Sequence, residues 1–202
     1  MGIKERRERE EQARLSSILH AAESVFAANG YYQTRMEDIA EAAELAKGTL
    51  YYYFTSKDEI YLQLLERESN RVLQEVKTRV SEKASFSQIL RETIHFYLEY
   101  FEQNHSFLKI FFPCMCGIVR FEDHQLLRKS TMNFEHHGKF IRQALEKRMV
   151  LEELPFDLEK LKMFIRTLQI GIGMKLLEGN KTEAEAAADF FLGLMEKVME
   201  DL

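Results

Sequence analysis

The stretch Thr34–Lys57, TRMEDIAEAAELAKGTLYYYFTSK, decides the fold, because it reads as two short helices meeting at a tight turn. Thr34 followed by Glu37 three residues later has the form of a capping box, and Asp38 suits the positive end of a helix starting at Arg35. Ile39, Ala40 and Ala43 supply a small apolar face; the helix is expected to stop near Glu44, with Leu45 tucked under the corner. A second helix opens at Lys47. Leu50 and Phe54, four apart, turn inward, which leaves Lys47, Thr49, Tyr52 and Tyr53 outward. Ser56 and Glu59 repeat the capping-box spacing and start a third helix.

Three adjacent tyrosines on so short a helix exceed what one core face can absorb. Phosphate oxygens, base edges and thymine methyls suit exposed tyrosines, with Lys47 and Lys57 adding charge. An aromatic helical hairpin packed against another element is the plain alternative, since helix-turn-helix geometry also occurs in proteins that bind no DNA.

The preceding helix carries Ile18, Ala22, Val25 and Phe26 at helical spacing before Asn29-Gly30-Tyr31. With it, AAESVFAANGYYQT, MEDIAEAA and KGTLYYYFTSKDEIY follow one another such that residues 15–61 resemble the N-terminal domain of the TetR family of bacterial transcriptional repressors. The resemblance implies that the helix Lys47–Tyr53 enters the major groove of double-stranded operator DNA, with Lys47, Gly48, Thr49, Tyr52 and Tyr53 at the bases. It implies that Thr34, Arg35, Tyr51 and Lys57 hold the flanking phosphates. Three positions depart from the family pattern. Glu44 stands where a turn glycine is usual, Ala46 where a serine often caps, and Arg35 where a second threonine is common.

With 202 residues, 46% hydrophobic, the chain can bury a proper core in one or two domains. Two prolines and 30% charged residues favour an all-α protein. The expected architecture is an N-terminal three-helix helix-turn-helix domain over residues 1–60. A long helix joins it to a helical ligand-binding and dimerisation domain over 61–202. No run of eighteen apolar residues or signal peptide is seen, so a cytoplasmic protein without a membrane partner is expected. Cys114 and Cys116 fit neither a disulfide framework nor a zinc pattern and read as buried free thiols.

Charge does not itself argue for DNA. Residues 1–60 hold eight Lys or Arg (4, 6, 7, 9, 14, 35, 47 and 57) against eleven acids, so this half is net negative by three. Affinity must then come from a few placed cations, helix dipoles and tyrosines, and should depend steeply on salt. The leading KERREREEQAR alternates in sign and reads as a solvated helical extension.

A helical pattern continues unbroken from Lys57 to about Lys83, roughly 40 Å at 1.5 Å per residue. Ser85–Gln103 carries Phe86, Ile89, Leu90, Thr93, Ile94, Tyr97 and Phe101 at core spacing, with a break expected near Pro113. Residues 123–148 read as a helix with Leu127, Phe134, Phe140, Ile141 and Leu145 inward. Asp157 caps a helix running to Leu177 and ending at Gly179-Asn180, and Thr182 with Glu185 forms a last capping box.

The last two helices carry surplus apolar surface. Phe164, Leu168, Gly171, Ile172 and Leu176 on one, with Phe191, Leu194, Met195 and Val198 on the other, are the expected homodimer interface, a four-helix arrangement implied by the resemblance. The resemblance also implies a small-molecule effector among the central helices. Phe101, Phe107, Phe111, Phe112, Met115, Phe121, Phe134 and Met163 are its expected lining, which suits an apolar or aromatic molecule or an acyl chain.

A helical-bundle metal-binding protein is the alternative. Glu92-x-x-His95 and Glu102-x-x-His105 match an element of di-iron bundles, with His124, His136 and His137 nearby. Such a site needs these elements on different helices. Here they lie ten residues apart on one helix or its end, and so on different faces; no metal or cofactor is expected. No serine elbow, phosphate-cradling glycine loop or nucleotide fingerprint points to an enzyme.

Overall fold

A computed structural model describes residues 2–81, 83–121 and 136–201. Among these it places nine helices: α1 (Ile3–Asn29), α2 (Met36–Ala42), α3 (Lys47–Tyr53), α4 (Lys57–Arg79), α5 (Phe86–Gln103), α6 (His105–Met115), α7 (His136–Leu151), α8 (Leu158–Leu177) and α9 (Lys181–Glu200). They form two compact units, Met1–Arg67 with Lys109–Met132, and Glu68–Leu108 with Asn133–Leu202. The division is discontinuous. Both α4 and α6 contribute residues to each unit.

In the first unit Ile18, Ala22 and Phe26 of α1, Ile39 and Ala40 of α2, Leu50, Phe54, and Ile60, Tyr61, Leu64 and Leu65 of α4 are buried together. Removing each large apolar side chain from water contributes roughly 1.5–3 kcal/mol, so this shared core, rather than helix propensity, holds two seven-residue helices in place. Arg67 on α4 also pairs with Glu23 on α1 at 2.7 Å.

The caps differ from expectation in detail. Thr34 does not cap α2; Arg35 takes the N-cap position and its N–H donates to Asp38 Oδ2 at 2.8 Å. The Thr34 hydroxyl instead donates to Gly30 O at 2.7 Å. At α4 the Glu59 N–H donates to Ser56 Oγ at 3.2 Å, while the Glu59 carboxylate accepts from the N–H and hydroxyl of Thr55 at 2.8 and 2.9 Å. Asp157 caps α8 as its sequence position implies, accepting from the N–H groups of Glu159 and Lys160. The cap of α9 is Asn180 rather than Thr182, two residues earlier than the box pattern suggests.

Helix α4 stops at Arg79, four residues short of Lys83, which shortens it to roughly 34 Å. The break after α5 falls at Asn104, whose N–H closes on Tyr100 O at 2.9 Å, and Pro113 lies inside α6 rather than at a break. Its carbonyl accepts from the N–H groups of Ile118 and Val119, at 2.8 and 3.1 Å, as the chain leaves the helix.

In the second unit α5 is the central element, with Phe86, Ile89, Leu90, Thr93, Ile94, Phe96, Tyr97, Leu98, Tyr100 and Phe101 buried. Helices α7, α8 and α9 pack on it, and α9 also packs on α8. Buried Glu68 accepts from the Tyr100 hydroxyl at 2.9 Å, a polar tie inside an otherwise apolar face. The expected inward residues Leu127 and Phe134 lie outside the described residues. Ile141 and Leu145 of α7 are buried and Phe140 is half-buried.

Candidate nucleic-acid interface

The turn between α2 and α3 sets the angle of the reading helix. Ala43 N–H donates to Ile39 O at 2.9 Å and Leu45 N–H to Ala40 O at 2.9 Å, and between them Glu44 adopts φ 54°. This is the left-handed turn that a glycine would enter without strain, so Glu44 makes the turn at a conformational cost. Ala46 begins α3 with no side-chain cap. Both departures noted in the sequence are therefore real weaknesses of local geometry, and the buried Leu50 and Phe54 hold α3 in spite of them.

With those two anchors inward, α3 presents Lys47, Gly48, Thr49, Tyr51 and Tyr52 outward. Tyr52 is 77% exposed and packs only edge-on against the half-buried Tyr53, ring centroids 5.2 Å apart. Lys47 pairs with Glu37 of α2 and lies 5.7 Å from the Tyr51 ring centre. The hydrogen bond from Lys47 holds the Glu37 carboxyl below its usual range, and the same bond raises the Lys47 ammonium. Both side chains are more than half exposed, so the pair is a weak one that a phosphate can displace. Nothing in the sequence marked Glu37 as the partner of Lys47. The pairing depends on the crossing of α2 and α3.

Two of the residues expected on phosphates are engaged internally. Thr34 is 1% exposed and its hydroxyl is committed to Gly30 O, so it cannot reach a phosphate. Lys57 Nζ donates to Tyr31 O at 2.9 Å, Thr34 O at 3.0 Å and Tyr32 O at 3.4 Å, and sits 4.5 Å from the Tyr31 ring centre. An ammonium has three protons, and three carbonyls take them. Lys57 thus braces the α1–α2 turn. Arg35 and Tyr51 remain exposed.

The expected effector lining is divided. Phe101 and Phe107 are buried in the second unit, while Phe111, Phe112 and Met115 belong to the first and are partly buried. Phe121 lies in the first unit and is buried. It closes the first unit's aromatic core, its ring 5.6 Å from those of both Tyr31 and Tyr61. Met163 is 68% exposed on α8, because the buried Leu161, two residues before it, lies about 200° away around the helix. Phe134 lies outside the described residues.

The expected dimer stripe is divided: its Phe164, Leu194 and Val198 are exposed, its Ile172, Leu176 and Phe191 are not. Ile172, Leu176 and Phe191 are buried within the second unit, whereas Met163, Phe164, Met174, Phe190, Leu194 and Val198 are exposed. On α9 the exposed apolar residues are 190, 194 and 198, at four-residue spacing, and Phe190 stands one helical step of about 100° from the buried Phe191. Leu168, Gly171 and Met195 are intermediate, and a Cβ at Gly171 would meet nothing within 4 Å of its own chain. Cys114 is partly buried, its thiol pushed up to about 11 by burial, but Cys116 is exposed, contrary to expectation. No group of three or more potential metal ligands exists among the described residues, and no described helix is long and apolar enough to cross a membrane.

Residues 18–64 match the family of bacterial regulatory proteins, tetR family. The fatty acid metabolism regulator protein of Bacillus subtilis is 32% identical over 92 residues, covering 45% of this chain and 47% of that protein. The transcriptional activator FasR of Mycolicibacterium smegmatis is 30% identical over 99 residues, covering 49% and 45% respectively. The chain thus matches about half the length of these relatives. Among solved structures, the regulator FadR from Bacillus subtilis in complex with stearoyl-CoA superposes with a TM-score of 0.75 at 21% identity, over 89% of this chain and 96% of that one. FadR from Bacillus halodurans gives 0.72 at 17% identity, over 88% and 97%. At such identities the likeness establishes the helical fold.

Proposed function

We propose, from the premise that the N-terminal segment of this chain belongs to the tetR family of bacterial regulatory proteins, that it is a ligand-responsive, DNA-binding transcriptional repressor rather than an enzyme. A homodimer binds a pseudo-palindromic operator in the cytoplasm and is released by a small apolar effector. The observation that carries the DNA-binding reading is the outward face of α3, where Lys47, Thr49, Tyr51 and Tyr52 stand exposed on a helix anchored by Leu50 and Phe54. The half-buried Tyr53 supports Tyr52 from behind, and Arg35 and Tyr51 take the flanking phosphates.

The apolar stripe Phe190, Leu194 and Val198 on α9, with Phe164 on α8 and open space over Gly171, supports a symmetric dimer through these two helices. Two copies of α3 then face successive major grooves, with half-site centres about 34–36 Å apart in the simplest case.

For the effector, the likeness to a regulator solved with stearoyl-CoA supports a long-chain acyl-CoA thioester. Phe101 and Phe107, both buried in the second unit, are the first lining residues to test. Effector binding moves α6 and α4, and α4 carries the movement toward α3. By reciprocity operator DNA weakens effector binding by the same factor. The test is to select bound fragments from the source genome, footprint them, and titrate the complex with stearoyl-CoA. A protected two-fold site released by stearoyl-CoA supports the reading, and an asymmetric single half-site or no footprint overturns it.

A further inference from the structure

Residues 116–121 leave α6 as a short irregular strap inside the first unit. Gly117, at φ 70°, makes the bend that turns the chain out of the helix. Beyond it Val119 and Phe121 are buried while Ile118 and Arg120 are exposed, so the segment lays alternate side chains on the surface beneath it. Phe121 docks between Tyr31 and Tyr61, and the Tyr61 hydroxyl donates to Ile110 O on α6.

Tyr32 grips the strap directly. Its hydroxyl donates to Ile118 O at 3.1 Å and accepts from the Arg120 N–H at 3.0 Å, although the residue as a whole is 58% exposed. Tyr32 belongs to the α1–α2 turn, which is rigid on its other side. Lys57 holds the carbonyls of Tyr31, Tyr32 and Thr34, the Thr34 hydroxyl holds Gly30 O, and the Tyr31 hydroxyl donates to Asp58. The next residue, Arg35, is the N-cap of α2. A displacement of the strap therefore reaches the start of the helix-turn-helix through two hydrogen bonds and a braced turn of five residues.

We propose that the Tyr32 hydroxyl is a latch that keys the strap 116–121 to the entry of α2, so that a shift of α6 is transmitted to the reading helices through this positioning residue. The inference rests on the DNA-binding reading above. The hydroxyl is singled out because the ring is mostly exposed, so that Tyr32→Phe removes the grip and spares the core. Gly117→Ala attacks the same device from the other end. An added Cβ there meets nothing within 4 Å, so only the left-handed backbone is strained.

The experiment compares the full-length wild type, Tyr32→Phe and Gly117→Ala by amide hydrogen exchange, and then by operator affinity with and without stearoyl-CoA. In both variants exchange should rise about threefold or more at Arg120 and its strap neighbours, the scale of losing one hydrogen bond, and the rise should spread to residues 31–36. Amides of α5 should not change. The ratio of operator affinities without and with stearoyl-CoA should fall about threefold or more, a loss that a merely structural contact would not produce. Unchanged exchange at Arg120 in Tyr32→Phe overturns the latch, as does a rise that leaves the affinity ratio intact. A wild type that binds no operator, or is not released by stearoyl-CoA, defeats the reading of function. The spread of exchange from the strap to residues 31–36 then decides alone, its presence upholding the latch and its absence refuting it.

Discussion

Lys57 Nζ donates to the carbonyl oxygen of Thr34 at 3.0 Å, tying the first residue of α4 to the last residue before the cap of α2. The charge that the sequence assigns to DNA is turned inward on the turn it stabilises. Lys57→Ala should therefore lower stability by about 1–2 kcal/mol, the scale of a hydrogen bond to a charged group. The slope of log affinity against log salt should stay at the wild-type value. A slope reduced by about one would return Lys57 to the phosphate backbone.

Glu44 and Ala46 are places where the chain can be improved. Relieving a left-handed residue recovers roughly 1–2 kcal/mol, partly offset by the greater freedom of unfolded glycine, so Glu44→Gly should stabilise by about 0.5–1 kcal/mol. Ala46→Ser supplies the missing cap of α3 and should add about 1 kcal/mol. Denaturant unfolding of each single variant and of the pair checks this; two residues so close need not add. A loss of stability in both would mean that the turn is not limiting.

Tyr52→Ala should leave thermal stability within about 0.5 kcal/mol, because the ring is 77% exposed. On the cognate operator it should cost roughly 1–3 kcal/mol, with little change on random DNA. Equal losses on both would assign Tyr52 to the backbone.

Adjacent phenylalanines on α9 should behave oppositely. Phe191, 4% exposed, stacks on Phe164 at 5.0 Å, so Phe191→Ala should destabilise the fold by about 3–5 kcal/mol. Phe190, 76% exposed, should instead be replaceable by Glu with the helical content intact and the dimer dissociated in sedimentation equilibrium. A Phe190→Glu protein that stays dimeric would place the interface elsewhere.

Alkaline pH should unfold this protein through its tyrosines. Burial raises the hydroxyls of Tyr61, Tyr97 and Tyr100 above the ordinary tyrosine range, and at Tyr100 the neighbouring Glu68 adds to it. A raised folded value means that the neutral form is the one the fold prefers. The contribution is whole below about pH 10, where unfolded tyrosine titrates, and is lost as pH rises toward the folded values. In a spectrophotometric titration these three should ionise only with unfolding, together with the loss of helical signal.

The sequence by itself determined what depends on neighbours along the chain. Helical spacing placed Leu50 and Phe54 inward and Lys47, Thr49, Tyr52 and Tyr53 outward, of which only Tyr53 is half-buried, and the side chain of Asp157 announced its own cap, since each such choice concerns groups within one turn. The resemblance carried by residues 15–61 extended this to the order of the reading helices, and the weak turn at Glu44 was visible as an out-of-place residue type. The tertiary structure decided what depends on partners distant in sequence. Lys57 meets carbonyls more than twenty residues away, Thr34 turns from capping to Gly30, and Phe121 crosses to Tyr31 and Tyr61. On α9 a rotation of one residue separates Phe190 from Phe191, finer than an apolar pattern on both flanks can resolve. Hydrogen bonds and core contacts of that kind are selected by the packing of whole helices, because only there do the competing partners of each side chain come within reach.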